Sequence, residues 1–293
     1  MLILISDAFD ATLPGILAKY GEVTDDHSRQ AEAEVILIRS KTKVTKEYID
    51  NAPKLKLVIR GGVGLDNVDR AYAAEKGIKV YNTADASTNA VAELAFAMMI
   101  AMPNHIVRAD TTMRAGEWAK KELKRTELNG KTLGILGMGR IGTAVAVRAR
   151  AFGMRVICWH PDVFFSDFAE IYQEMDDVLK QSDYISLHMP LVDGTRGIIN
   201  KDKFALCKNG VYFINTGRAA CVVEEDVVDA LDSGKLAGFA TDVWYSDPPE
   251  NTPLTKHPKT LLAPHIGASS KENMLRIGTI VDILIGDYVK GNL

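Results

Sequence analysis

Short runs of apolar, largely β-branched residues recur along the chain at positions 2–6, 35–39, 57–60 and 78–81, then at 133–136, 154–159, 184–187, 211–214, 239–243 and 260–263, with helix-like segments between them. Runs that are apolar at consecutive positions belong to strands buried on both faces, and strands alternating with helices build parallel sheets covered on both sides. The fold class is therefore α/β. The first four runs and the last six form two groups. At 293 residues, 47% hydrophobic and 25% charged, the chain is long enough for two ordinary domains, each with its own core.

Between the groups lies a helical stretch, residues 89–116, which Pro103 is expected to break or kink. A second helical pattern, residues 271–288, closes the chain with no strand of its own to cover. It is expected to cross back onto the N-terminal group. The domains then read as 1–97 with 271–293, and 98–270.

The balance of 35 basic against 38 acidic residues gives a formal charge of -3, too even for a nucleic-acid footprint or a polybasic membrane anchor. Small-molecule partners are expected, with neither nucleic acid nor membrane among them. Residues 1–7 have no basic segment ahead of their apolar run and read as a first strand rather than a secretory leader. No apolar stretch reaches the ~18 residues of a membrane span. Cys158, Cys207 and Cys221 stand far apart in no metal-ligand spacing, which fits free thiols in a reducing cytoplasm. No His-Glu-x-x-His, paired Cys-x-x-Cys or Walker-type lysine is present, so metal and kinase chemistry are disfavoured.

Residues 132–136 run directly into Gly137-Met138-Gly139-Arg140-Ile141-Gly142, and helical spacing then continues to Phe152 and Gly153. Three glycines at this spacing are a weak signal alone, and a purely structural turn is the plain alternative. Strand, turn and helix in succession make the segment a place for a dinucleotide. Gly137 permits the tight turn, Gly139 lets a pyrophosphate approach the backbone, Gly142 lets helix and strand pack closely, and the helix N-terminus offers amide donors. About 20 residues on, where an acid normally accepts the ribose hydroxyls, the chain has His160-Pro161-Asp162. A neutral imidazole can accept one hydroxyl bond and a protonated one tolerates a 2′-phosphate, but no arginine follows to clamp such a phosphate. NAD is favoured, NADP stays open, and an ordinary exposed loop histidine is the alternative for His160.

Three further segments carry reactive side chains near strand ends: Asn215-Thr216-Gly217-Arg218, Asp242-Val243-Trp244-Tyr245-Ser246-Asp247-Pro248-Pro249 and Pro264-His265-Ile266-Gly267-Ala268-Ser269-Ser270. Ligands of open α/β sheets sit at those ends, so an arginine, an acid and a histidine converge there. With the glycine turn, these segments make the chain resemble the D-isomer-specific 2-hydroxyacid dehydrogenase family over essentially its whole length. Segments 39–45, 60–69, 127–134 and 265–272 are similar in particular to the D-3-phosphoglycerate dehydrogenases.

The resemblance implies two doubly wound parallel-sheet domains, a Rossmann dinucleotide-binding domain and a flavodoxin-like substrate domain. It implies that His265 is the acid/base that takes the hydroxyl proton as hydride leaves C2 for the nicotinamide, a task that suits a histidine. Arg218 matches the arginine that binds the carboxylate and polarises the C2 oxygen. Asp247 matches the acid that orients the histidine and favours its charged form, at a place where the family usually has the longer Glu. On the cofactor side the resemblance implies Arg140, Ile141, His188, Pro190, Thr195, Thr216, Asp242, Gly267 and Thr88, beside the glycines and His160-Pro161. Arg39 and Arg60 match arginines that meet the substrate's phosphate, with unliganded surface arginines as the alternative. The glycines of Gly61-Gly62-Val63-Gly64 offer backbone amides as a nest for the substrate carboxylate.

The function this implies is NAD-dependent oxidation of 3-phospho-D-glycerate to 3-phosphohydroxypyruvate, at the entry to serine synthesis. A short form without the regulatory domains of longer relatives, and so without serine feedback, is expected. A glyoxylate or hydroxypyruvate reductase on the same scaffold is the second reading, and it parts from the first at Arg39 and Arg60. A non-catalytic NAD-sensing protein, like the family's corepressors, is the third, disfavoured by the presence of Arg218 and His265. The resemblance also implies a homodimer built by the central helix and following arm, residues 98–127. His27, His105 and His257 lack partner spacing and are read as non-catalytic.

Overall fold

The computed structural model describes all 293 residues in two compact units, Met1–Ala90 with Ala268–Leu293, and Val91–Gly267. In the first, β1 (Leu2–Ile5), β2 (Glu22–Thr24), β3 (Val35–Ile38), β4 (Leu57–Arg60) and β5 (Lys79–Asn82) form a parallel sheet in the order β2-β1-β3-β4-β5, the flavodoxin-like arrangement. Successive side chains of a strand point to opposite faces, and here both faces are dry. Leu4, Ile36, Ile38 and Val58 belong to one core, Ile3, Ile5, Val35, Leu37, Leu57 and Ile59 to the other. The unbroken apolar runs have this origin.

The second of these cores is completed by Ile277, Val281 and Ile285, four residues apart on one face of the closing helix Lys271–Lys290. Ser270 caps that helix, accepting from Asn273 N–H at 3.2 Å, and Gly291 ends it in the left-handed conformation.

In the second unit, β6 (Thr132–Leu136), β7 (Arg155–Trp159), β8 (Glu170–Tyr172), β9 (Tyr184–Leu187), β10 (Val211–Asn215), β11 (Leu236–Thr241) and β12 (Thr260–Leu262) run parallel in the order β12-β11-β10-β9-β6-β7-β8. The chain moves outward from β6 through β7 to β8, then returns to β9 on the other side of β6. Such a reversal opens a crevice at the carboxyl ends of the central strands, the ligand position of a Rossmann sheet. Leu133, Ile135, Val156, Cys158 and Ile214 pack against Ala92, Ala95 and Met99 of the helix Thr88–Ala101. Leu136, Ile157, Ile185, Leu187 and Phe213 form the opposite layer.

Twelve strands form where the sequence patterns point to ten. The two extra ones, β2 and β8, are three residues long, half exposed, and lie at a sheet edge. Glu-Val-Thr and Glu-Ile-Tyr each hold one aliphatic residue between polar flanks, too little for an apolar run. At Pro103 the helical stretch breaks: Thr88–Ala101 ends and Ile106–Arg114 follows at a 64° bend. No single helix is long and apolar enough to cross a membrane.

Candidate active site

The glycine turn closes the carboxyl end of β6. Gly137 has φ 104°, and a Cβ there would meet the His188 carbonyl carbon at 2.8 Å. At Gly142 a Cβ would fall 2.2 Å from the Gly137 carbonyl oxygen, so the helix Arg140–Ala151 sits as close to the strand as a hydrogen allows. Gly139, the N-cap, has nothing within 4 Å of where its Cβ would be, and no side chain caps the helix. Unspent first-turn amides beside open space are what a pyrophosphate needs. Arg140 is exposed and Ile141 partly so.

The neighbouring strand ends add polar groups. Gly137 N–H donates to the Trp159 carbonyl at 2.9 Å, which fixes the end of β7 against the turn. The next residue, His160, accepts the Asp162 N–H on Nδ1 at 3.0 Å, while Pro161 is exposed. At the end of β9, His188 N–H donates to the Leu136 carbonyl at 2.8 Å, and its ring Nε2 shares a 2.8 Å hydrogen bond with the Ser186 hydroxyl. Its Nδ1 is buried without a partner, as is Oγ1 of Thr216 beyond β10. Such orphaned atoms are costly unless a ligand satisfies them, and with the open turn they fit a dinucleotide. Thr195 is committed locally: its hydroxyl donates to the Pro190 carbonyl at 2.7 Å and accepts from Val192 N–H at 2.9 Å, so it shapes its loop.

The reactive trio leaves the adjacent strands β10, β11 and β12 at one edge. His265 Nδ1 lies 2.5 Å from Asp247 Oδ2, so the aspartate reaches the histidine despite being one methylene shorter than glutamate. Both side chains are about one-third exposed, at 34% and 38%. His265 has φ 57°, in the left-handed region. The turn around it is held by Asp242, 2% exposed, whose Oδ1 accepts from Ile266 N–H at 2.8 Å and Oδ2 from Gly267 N–H at 2.7 Å. Burial raises the Asp242 pKa, against the two amides and the His265 charge, which lower it. Arg218 follows β10 in a turn stapled by buried Asn215: its amide donates to the Arg218 carbonyl at 3.1 Å, and its oxygen accepts from Gly217 N–H at 3.0 Å.

In the first unit, Arg39 and Arg60 stand at the ends of β3 and β4. Arg60 is 8% exposed, and a Cβ on Gly62 would come within 2.9 Å of its Nη1. Arg39 makes two long contacts, to the Ala8 carbonyl at 3.5 Å and the Ala268 carbonyl at 3.4 Å, and its Nε is buried without a partner. Asp7 holds its backbone through Arg39 N–H at 2.5 Å and Thr42 N–H at 3.1 Å. The four-residue amide nest is smaller than its glycines imply. Gly61 N–H donates to the Ile38 carbonyl at 2.8 Å and Gly62 N–H to Thr83 Oγ1 at 2.9 Å, which leaves only the amides of Val63 and Gly64 for a ligand. Thr88 begins its helix, half-buried.

Asn215, Ser186, Asp7 and Thr83 were not singled out from the sequence. Their only signal is a small polar residue at or near a strand end. His105 and His257 are spent locally, on the Lys124 carbonyl at 2.9 Å and on Asp232 at 3.2 Å, and no cluster of metal ligands forms.

Burial pushes the His188 pKa down to about 4, so the folded ring stays neutral where an unfolded histidine, near 6.5, already takes up a proton. Unfolding therefore binds a proton between those values. Stability is unaffected above about pH 6.5 and falls as pH drops towards 4, by at most about 3 kcal/mol. Urea denaturation of wild type and His188→Asn across this window checks it. A folded-state His188 ring titrating near 6.5 by NMR contradicts it.

A model of the D-isomer specific 2-hydroxyacid dehydrogenase, NAD binding domain, matches residues 96–267, more than half of the chain. Hydroxypyruvate reductase of Thermotoga maritima is 43% identical over 267 residues, 88% of this chain and 87% of that protein. D-3-phosphoglycerate dehydrogenase of Methanocaldococcus jannaschii is 39% identical over 303 residues, 99% of this chain but 58% of that protein, so the chain spans less than two thirds of that relative's length. The crystal structure of D-lactate dehydrogenase from Aquifex aeolicus complexed with NAD and lactic acid superposes with a TM-score of 0.89 at 28% identity, covering 100% of this chain and 96% of the other. Together with the open glycine turn, these likenesses identify the chain as a member of the D-isomer-specific 2-hydroxyacid dehydrogenase family, NAD-dependent oxidoreductases.

Proposed function

We propose that this chain oxidises 3-phospho-D-glycerate to 3-phosphohydroxypyruvate, the step that opens serine synthesis. The observation that carries the phosphate is the pair Arg39 and Arg60. Arg60 lies in register with Ile38, the residue before Arg39, so the two arginines close neighbouring strands. Burial pushes the Arg39 pKa down, and its guanidinium has donors left over. A charged, partly desolvated fork of this kind calls for an anion with several acceptor oxygens, and a phosphate has them where a hydroxymethyl group does not.

Bound NAD supplies the hydride acceptor, held at the glycine turn, with Thr216 and His188 offering their unpaired polar atoms. Asp247 accepts from His265 Nδ1, which leaves Nε2 to take the C2 hydroxyl proton as hydride leaves C2. The aspartate then stabilises the imidazolium, and the reverse reaction returns the proton. Arg218 binds the carboxylate. Asp242 acts on His265 indirectly, by clamping the turn that presents it.

A second reading, hydroxypyruvate reduction, is favoured by the 43% identity to the Thermotoga maritima reductase over 87% of its length. A homodimer is also proposed, supported by Ile106, Val107, Met113 and Trp118, each more than half exposed on the helix Ile106–Arg114 and the arm after it. The buried free thiols Cys158 and Cys207, raised by burial to about 11, fit a reducing cytoplasm.

Arg39→Ala with Arg60→Ala is expected to raise KM for 3-phosphohydroxypyruvate at least about 100-fold, from about 1.5–3 kcal/mol for each charged hydrogen bond, with little change for hydroxypyruvate. Faster turnover of hydroxypyruvate than of its phosphate by wild type would favour the reductase. Asp242→Asn puts an NH2 against a backbone N–H, so kcat should fall about 10- to 100-fold with NAD affinity nearly unchanged. A matching loss of NAD affinity would instead make Asp242 a cofactor ligand. Sedimentation velocity should give twice the chain mass, and a monomer would contradict the dimer.

A further inference from the structure

We infer that His160 makes the ribose site of this chain tolerant of a 2′-phosphate, so that NADP(H) binds alongside NAD(H). The inference rests on dinucleotide binding at the glycine turn and not on the identity of the substrate.

The end of β7 is tied to the turn by the Gly137 N–H bond to the Trp159 carbonyl at 2.9 Å, so the chain leaves the sheet at His160 beside the glycine turn. An acid at this place does two things at once. It accepts the ribose hydroxyls, and it repels a phosphate on the same ribose. His160 does neither.

Its Nδ1 accepts the Asp162 N–H at 3.0 Å. A nitrogen that accepts an amide hydrogen holds a lone pair, so the ring hydrogen sits on Nε2. The half-buried ring, fixed at Nδ1, has an N–H donor at its other edge. A donor serves a hydroxyl oxygen and a phosphate oxygen alike, whereas a carboxylate serves only the first.

Asp162 is the one carboxylate of this turn. Its side chain is exposed and makes no hydrogen bond, so water and salt screen its repulsion. No arginine follows in the turn to reward a phosphate. The expected result is comparable affinity for the two dinucleotides rather than a switch to NADP.

Isothermal titration of the purified protein with NADH and NADPH, without substrate, tests this. Wild type is expected to bind both, with dissociation constants within about tenfold of each other. His160→Asp restores the acid and should raise the NADPH to NADH ratio by a further tenfold or more, the scale of a like-charge contact near a protein surface. His160→Gln, which keeps an N–H donor, should hold the wild-type ratio. A wild-type ratio above about 100, or a ratio that His160→Asp leaves unchanged, overturns the inference. Binding of neither dinucleotide would overturn the dinucleotide site itself, and the inference with it.

Discussion

Every strand pairing in the protein is parallel, and parallel pairing sends all the carboxyl ends of a sheet to one edge. The helices that return the chain cover both faces, so the interior has no room for polar chemistry. What is displaced from the core collects at that edge. In Val91–Gly267 the first residue of the glycine turn, His160, His188, Arg218, Asp242 and His265 each lie within three residues of a strand's last position. The same rule places Arg39 and Arg60 in the other unit. Within each unit, the gathering of polar residues is thus a by-product of how an all-parallel sheet must be built.

Placement by the sheet is coarse, and small buried or half-buried polar groups refine it. Asn215 staples the turn carrying Arg218, Asp242 the turn carrying His265, Asp7 the loop starting at Arg39, and Thr83 the backbone at Gly62. Each bond runs between a side chain and backbone amides, so it constrains a turn without competing for the groups that face solvent. Buried donors and acceptors are expensive when unsatisfied. The turns consequently have few alternative conformations open to them.

The α/β class, the grouping into two sheets, and the family were legible because they rest on local signals: unbroken apolar runs, and motifs short enough to be read along the chain. β2 and β8 were not legible, since an edge strand of three residues buries too little to need an apolar run. The staples were hidden for a different reason. Asp242 and Gly267 are 25 residues apart, and nothing near either one announces that an amide will return to the carboxylate. Whether Asp247 spans the gap left by the missing methylene is likewise a matter of backbone course, as is the loss of the Gly61 and Gly62 amides to Ile38 and Thr83.

The left-handed backbone at His265 has an evolutionary consequence. Few residue types sit comfortably at φ 57°, and asparagine is one of them. The clamp from Asp242 grips the amides after position 265 and ignores the side chain at it. If His265 moves the proton as proposed, an exchange of that ring for asparagine would silence that step while leaving the Asp242 clamp on the turn in place. On that proposed role, the architecture stands a single exchange away from a protein that registers the level of its cofactor and consumes nothing.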